Sequence, residues 1–169
     1  MLPILLATLI FTTPVALPEV PVPMIDQPAA VEYVQMPLYS SSSVKRYEDY
    51  RAITNTSSLG YQLTRQAYIC SDGTLEIDGY KLVAVGKGYG TVGEKLRVTF
   101  TDGRQLNLLI ADNKQDAHTL NGAGYSGTDG HVIECIVDTR TMPATAKRMG
   151  DCNYIDIFNG ELLMIEKEI

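Results

Sequence analysis

KLRVTFTDGRQLNLLIAD, Lys95 to Asp112, is the stretch on which the fold turns. Leu96, Val98 and Phe100 alternate with Lys95, Arg97 and Thr99, the period of two that a half-buried strand requires. Asp102-Gly103 is a tight-hairpin signal, because both residues tolerate the positive φ such turns need, and beyond it the chain returns as a second strand from Gln105 to Asp112. Working outward, Leu82–Val85, Val132–Val137, Tyr154–Phe158 and Glu161–Ile165 read as further strands, with Asp72-Gly73, Asp78-Gly79 and Asn159-Gly160 marking other turns. One helix is expected over Ala144–Met149, where Pro143 suits the start and Gly150 the end. Six or more short strands with one or two short helices predict a mainly β domain, a small β-barrel whose closure removes the exposed edges.

Upstream the composition changes. Residues 1–18 carry no charge, and Leu5, Leu6, Leu9, Ile10 and Phe11 form an apolar run that reads as a signal peptide or an anchor. The run is interrupted by proline and is short against the ~20 apolar residues of a membrane helix. Seven of the eight prolines lie at or before Pro37, and Ser40–Ser43 follow, so residues 19–43 have linker composition. Val44–Ile53 places Tyr47, Tyr50 and Ile53 along one side of a short helix, so residues 44–66 are predicted to be a docking helical segment ahead of the barrel at 67–169. The expected location is secreted or cell-envelope, with membrane contact only through the N-terminal segment.

A chain of 169 residues fits one core, and 45% hydrophobic with 20% charged residues is a globular balance. The net charge of −6 opposes binding to nucleic acid, whose affinity rests on cationic side chains neutralising phosphate. Cys70, Cys135 and Cys152 show no Cys-x-x-Cys spacing, so there is no zinc or thioredoxin signature, and no cofactor is expected. In an exported chain they permit one disulfide and one free thiol without revealing the pairing.

Candidate chemistry gathers after the central hairpin. The period of two puts Leu106, Leu108, Ile110 and Asp112 on one face. A carboxyl ending an apolar inward row is desolvated, which raises its pKa and suits it to proton donation near neutrality; the alternative is a cap for the turn at Asn113-Lys114. Asp116 and His118 follow in the same polar loop, where they orient Asp112 or a ligand, ligate a metal with it, or simply face solvent. Asn121–Gly130 is a glycine-rich segment able to fold over a cleft, but no P-loop lysine follows it. Cys135, midway along a strand, reads as a buried inert thiol rather than a nucleophile.

Four short motifs in order, Val83–Gly86, Thr91–Val98, Leu109–Asp112 and Tyr154–Phe158, resemble the three-aspartate (3D) domain of bacterial cell-wall lytic enzymes, itself similar to the catalytic barrel of membrane-bound lytic transglycosylase A. The resemblance spans Tyr80 to Ile165. It implies a six-stranded double-psi β-barrel, peptidoglycan glycan strands as substrate, Asp112 as general acid/base and Asp156 as its supporting carboxylate. The sequence departs from the pattern at Gly86, which stands where the first aspartate is expected, and at Asn113-Lys114-Gln115, which replaces a glycine-rich stretch. Tyr89 and Tyr125 either stack on sugar rings or belong to the core. Two activities stay open, lytic transglycosylation through one carboxyl group and hydrolysis through two. So does a non-catalytic wall- or protein-binding module of a cell surface or phage particle.

Overall fold

The structure is a computed structural model describing residues 30–39 and 43–169, so the leader and most of the Pro/Ser-rich linker lie outside the described residues. The described residues form nine strands: β1 (Tyr33–Gln35), β2 (Arg46–Asp49), β3 (Tyr68–Ile69), β4 (Leu75–Ile77), β5 (Tyr80–Gly86), β6 (Lys95–Phe100), β7 (Gln105–Lys114), β8 (Ile133–Val137) and β9 (Leu162–Glu168). Two α-helices, α1 (Leu59–Gln66) and α2 (Ala144–Met149), accompany them. Among the described residues no helix is long and apolar enough to cross a membrane.

The hairpin of β6 and β7 forms as its alternation predicts, with Leu96 opposite Leu108 and Val98 opposite Leu106. Asp78-Gly79, with φ of 49° and 82°, closes a two-residue turn between β4 and β5, for which a positive φ at both positions is the requirement. Strand order runs β1-β9-β6-β7-β5-β4-β3, and β8 pairs with both β5 and β2. The β5–β7 and β2–β8 pairs are parallel and the rest antiparallel, giving a mixed sheet that is not closed. The expectation of a closed ring is corrected to that extent, β1 and β3 ending the main path.

Strand β5 lies at the centre and is buried along almost its whole length. Apolar side chains cover both its faces, which is why Leu82–Val85 is a continuous apolar run rather than an alternating one. Val83 and Val85 join Leu96, Val98, Phe100, Leu106, Leu108, Ile110, Cys135 and Phe158 in the main core. Leu82 and Ala84 join Ile53, Leu109, Ala111 and Ile136 in a second cluster, against which Tyr61 and Leu63 of α1 pack.

Three expectations are corrected. Arg46–Asp49, within the segment read as a docking helix, is strand β2, because β8 offers a free edge that satisfies its backbone groups; only Tyr50–Ala52 after it turns, as a 3-10 helix capped by Asp49. Tyr154–Phe158, read as a strand, is part of two 3-10 turns, Cys152–Tyr154 and Asp156–Phe158. Ile155 and Phe158 bury three residues apart, a spacing that a period of three serves and a period of two does not. Third, β7 carries a bulge: Val83 faces Ile110, but Ala84 faces Asp112, so Ala111 is the extra residue. The bulge shifts the alternation by one and takes Asp112 off the row of Leu106, Leu108 and Ile110, onto the face of Ala84. The helix expected over Ala144–Met149 is α2, ended by Gly150 at φ 66°.

Helix α1 meets this bulge closely, since a Cβ on Gly60 would stand 2.2 Å from the carbonyl oxygen of Ala111. On helix propensity alone Gly60→Ala should stabilise by about 1 kcal/mol. We expect the opposite sign, a loss of about 1–3 kcal/mol from displacing α1, read as a lower urea midpoint with unchanged slope.

Candidate functional site

Because paired residues share a face, strand register sets the composition of the site. Ala84 of β5 pairs on one side with Asp112 of β7 and on the other with Glu134 of β8, so two carboxyl groups flank a methyl. Glu48 of β2, opposite Ile136, projects from the same face. Lys114, two residues beyond Asp112 and opposite Gly86, completes it. With Asn113, Gln115 and His118 these residues line a cavity of about 340 Å³.

Glu48 and Asp112 line the same cavity, and burial, followed by the charges of Asp112 and Glu134, pushes the Glu48 carboxyl up to about 7. Ionising Glu48 in this poorly solvated space, beside other carboxyls, is unfavourable, so Glu48 keeps its proton toward neutral pH. Glu134 behaves differently. Burial alone would raise it, yet His131 Nε2 at 2.8 Å and the Lys114 ammonium outweigh that and bring it below the ordinary glutamate value. Lys114 Nζ is 3.4 Å from Glu134 Oε1, an ion-pair distance, but it has no well-directed hydrogen bond and its side chain is almost wholly buried. Burial accordingly lowers its affinity for the proton, an effect that Glu134 opposes.

Behind the cavity the charges continue as a relay. The two ring nitrogens of His131 face one carboxylate each, Glu134 and Asp129, and Arg46 Nη2 pairs with Asp129 at 2.7 Å. Asn113 Nδ2 donates to the carbonyls of Val85 (3.3 Å) and Gly90 (2.9 Å), which ties the rim to the loop after β5.

The predicted site residues divide. Asp112 lines the cavity, reached through the bulge rather than by simple alternation, and exposed His118 stands on the same cavity at the end of a 3-10 turn. Asp116 is exposed and lies 3.8 Å from Lys87, away from the carboxyl pair. Asp156 is exposed at the start of the turn Asp156–Phe158 and is not among the lining residues. Tyr89 is fully buried, its ring edge-on to Tyr125 with centroids 5.1 Å apart, so it is a core residue and cannot stack on a sugar. Half-buried Tyr125 is held between Tyr89 and Tyr39. The glycine-rich segment is folded into the wall, with Gly88 N donating to Gly124 O at 2.7 Å and Thr119 bridged to Gly127. That packing accounts for Gly86, since a Cβ there would be 2.1 Å from the Gly124 carbonyl oxygen and no carboxylate fits. Among the described residues no cluster of three ligating groups is placed to hold a metal ion.

Sequence reasoning missed Glu48, Lys114, Glu134 and His131. For Glu134 the signal was present, a charge interrupting the apolar run Val132–Val137 just as Asp112 ends its own. Glu48 was hidden by the helical reading of its segment. Comparison of the chain with known protein families, curated proteins and solved structures gives no match.

The folded protein holds the Glu48 proton more tightly than the unfolded chain, so stability falls as pH rises from the ordinary value of 4.5 through about 7 and then levels off. Glu48→Gln removes this penalty. Urea melts should show the variant matching wild type at acid pH and exceeding it at alkaline pH by about 1–2 kcal/mol, the full shift being reduced by solvent screening.

Proposed function

We propose that the chain is an exported or envelope-tethered peptidoglycan-cleaving enzyme, lytic transglycosylase-like, in which the Glu48–Asp112 pair is the acid/base group. The observation that carries this reading is that Glu48 and Asp112 share one polar cavity, with Glu48 raised to about 7, since that supplies a carboxylic acid that is protonated near neutrality. Hydrolysis through two separate carboxylates needs them ~5–5.5 Å apart for retention or ~6.5–9.5 Å for inversion. Transglycosylation makes no such demand, since one protonated carboxyl suffices, and Glu48 beside Asp112 in the cavity supplies it.

The reaction then needs no water nucleophile. The pair gives its proton to the glycosidic oxygen, the bond from that oxygen to the anomeric carbon breaks, and the sugar's own 6-hydroxyl closes on that carbon while its proton returns to the pair. Glu134, kept ionised by His131 and Lys114, opposes the positive charge developing on the sugar ring. Buried Lys114 acts through Glu134, 3.4 Å away, whose charge it offsets. The scaffold of this reading is the double-psi β-barrel, and the two parallel pairs β5–β7 and β2–β8 support it. The apolar leader and proline-rich linker support export. A second reading, a non-catalytic binding module of a cell surface or phage particle, draws on Gly86, where the expected carboxylate is replaced by loop packing.

The test is incubation of the full chain with purified peptidoglycan, followed by mass spectrometry of released fragments. We expect 1,6-anhydro ends, with release reduced about 10²–10⁴-fold in Asp112→Asn and Glu48→Gln. The wild-type rate should decline above neutral pH as the pair loses its proton. Hydrated reducing ends would overturn transglycosylation, and retention on peptidoglycan without release would favour the binding module.

A further inference from the structure

The main core holds two cysteines that play no part in this chemistry. Cys135 sits in the middle of β8 and Cys152 opens the 3-10 turn after α2, and neither exposes any surface. A single short segment anchors both of them. Tyr47 of β2 is the strand partner of Cys135, and two residues earlier the Lys45 carbonyl accepts from the Cys152 amide at 2.6 Å. Both side chains are buried in the same main core cluster.

Lys45 stands beside them, fully buried, with its ammonium donating to the carbonyls of Ser43 (2.9 Å) and Gly160 (2.5 Å). Burial pushes the Cys135 thiol up, and the Lys45 charge opposes that. Once the core has closed, these sulfurs are inert toward dissolved reagents. Before the core closes they are open to a dissolved disulfide, which thiol–disulfide exchange requires.

Cys70 is placed differently. It is half-buried in the turn between β3 and β4, its sulfur 3.1 Å from Lys81 Nζ and 3.9 Å from Glu76 Oε2, and it makes no contact with another thiol.

We propose that Cys135 and Cys152 are the disulfide pair of this protein in an oxidising compartment, and that Cys70 stays a free thiol. The co-reactant is a small disulfide such as oxidised glutathione. One cysteine thiolate attacks it and displaces a first glutathione thiol, leaving a mixed disulfide; the second cysteine thiolate then attacks that bond and displaces the other. Two protein thiols are oxidised, one glutathione disulfide is reduced to two thiols, and the sulfur–sulfur bond ties β8 to the segment after α2. The assignment is independent of the activity proposed above.

The full chain is refolded from denaturant in a mixture of oxidised and reduced glutathione, its remaining thiols are alkylated after denaturation, and peptides are mapped by mass spectrometry without reduction. The expected result is a cross-linked peptide joining Cys135 to Cys152, two hydrogens lighter than its reduced parts, with alkyl label on Cys70 alone. The same link forms in Cys70→Ser. Reduction raises the unfolding equilibrium constant about a hundredfold, the effect expected of opening a short loop. Label on all three cysteines after oxidative refolding, or a cross-link that contains Cys70, overturns the assignment.

Discussion

One extra residue in β7 determines where the chemistry of this molecule lies. Strand β5 is buried on both faces and pairs in parallel with β7, so its neighbour must keep strict alternation or break it at a defined point. It breaks at Ala111. Before that point β7 sends Leu106, Leu108 and Ile110 into the main core; after it, Asp112 stands opposite Ala84 on the other face, level with Glu134. Without the bulge the carboxyl of Asp112 would enter an apolar interior with no partner, at a cost of several kcal/mol.

The surroundings of that carboxyl follow from the same arrangement. Ala84 is small enough to leave room between its two acidic neighbours, and Ala111 and Gly60 let α1 approach the bulge to van der Waals range. The segment 115–130 returns across the ends of β5 and β7 and fills the space beside Gly86 with its own backbone. The cavity is thus lined by side chains of β2, β7 and β8 and closed at its rim by Gln115 and His118.

Within the cavity, like and unlike charges are separated by strand. Glu134 on β8 is matched by His131 and Lys114 and remains ionised, whereas Glu48 on β2, buried and beside the charges of Asp112 and Glu134, retains a proton. Two carboxylates with the same intrinsic chemistry are driven apart in protonation by which cations reach them, the arrangement by which a protein obtains an acid and a base at one pH. The buried charges of Lys45 and Lys81 are satisfied within the fold, by carbonyls in one case and by Glu76, Thr74 and Cys70 in the other.

Much of the scaffold was legible in the amino-acid sequence because local rules suffice there. The alternation of Lys95–Phe100, the Asp-Gly turns and the Pro143–Gly150 helix each depend on residues close in the chain. Asp112 was singled out for a sound reason, a carboxyl ending an apolar row, although the bulge delivers it by another route. What local rules could not reach were the pairings: β2 is a strand only because β8 offers it an edge, and Tyr154–Phe158 turns only because Ile155 and Phe158 have places in the core. The sequence by itself determined a mainly β domain behind an apolar, proline-rich start, since side-chain period and turn chemistry are properties of neighbours. Only the tertiary structure decided that Glu48, Asp112, Lys114 and Glu134 share one cavity and that Cys135 and Cys152 share one core, because contacts between distant segments are set by strand register and core packing.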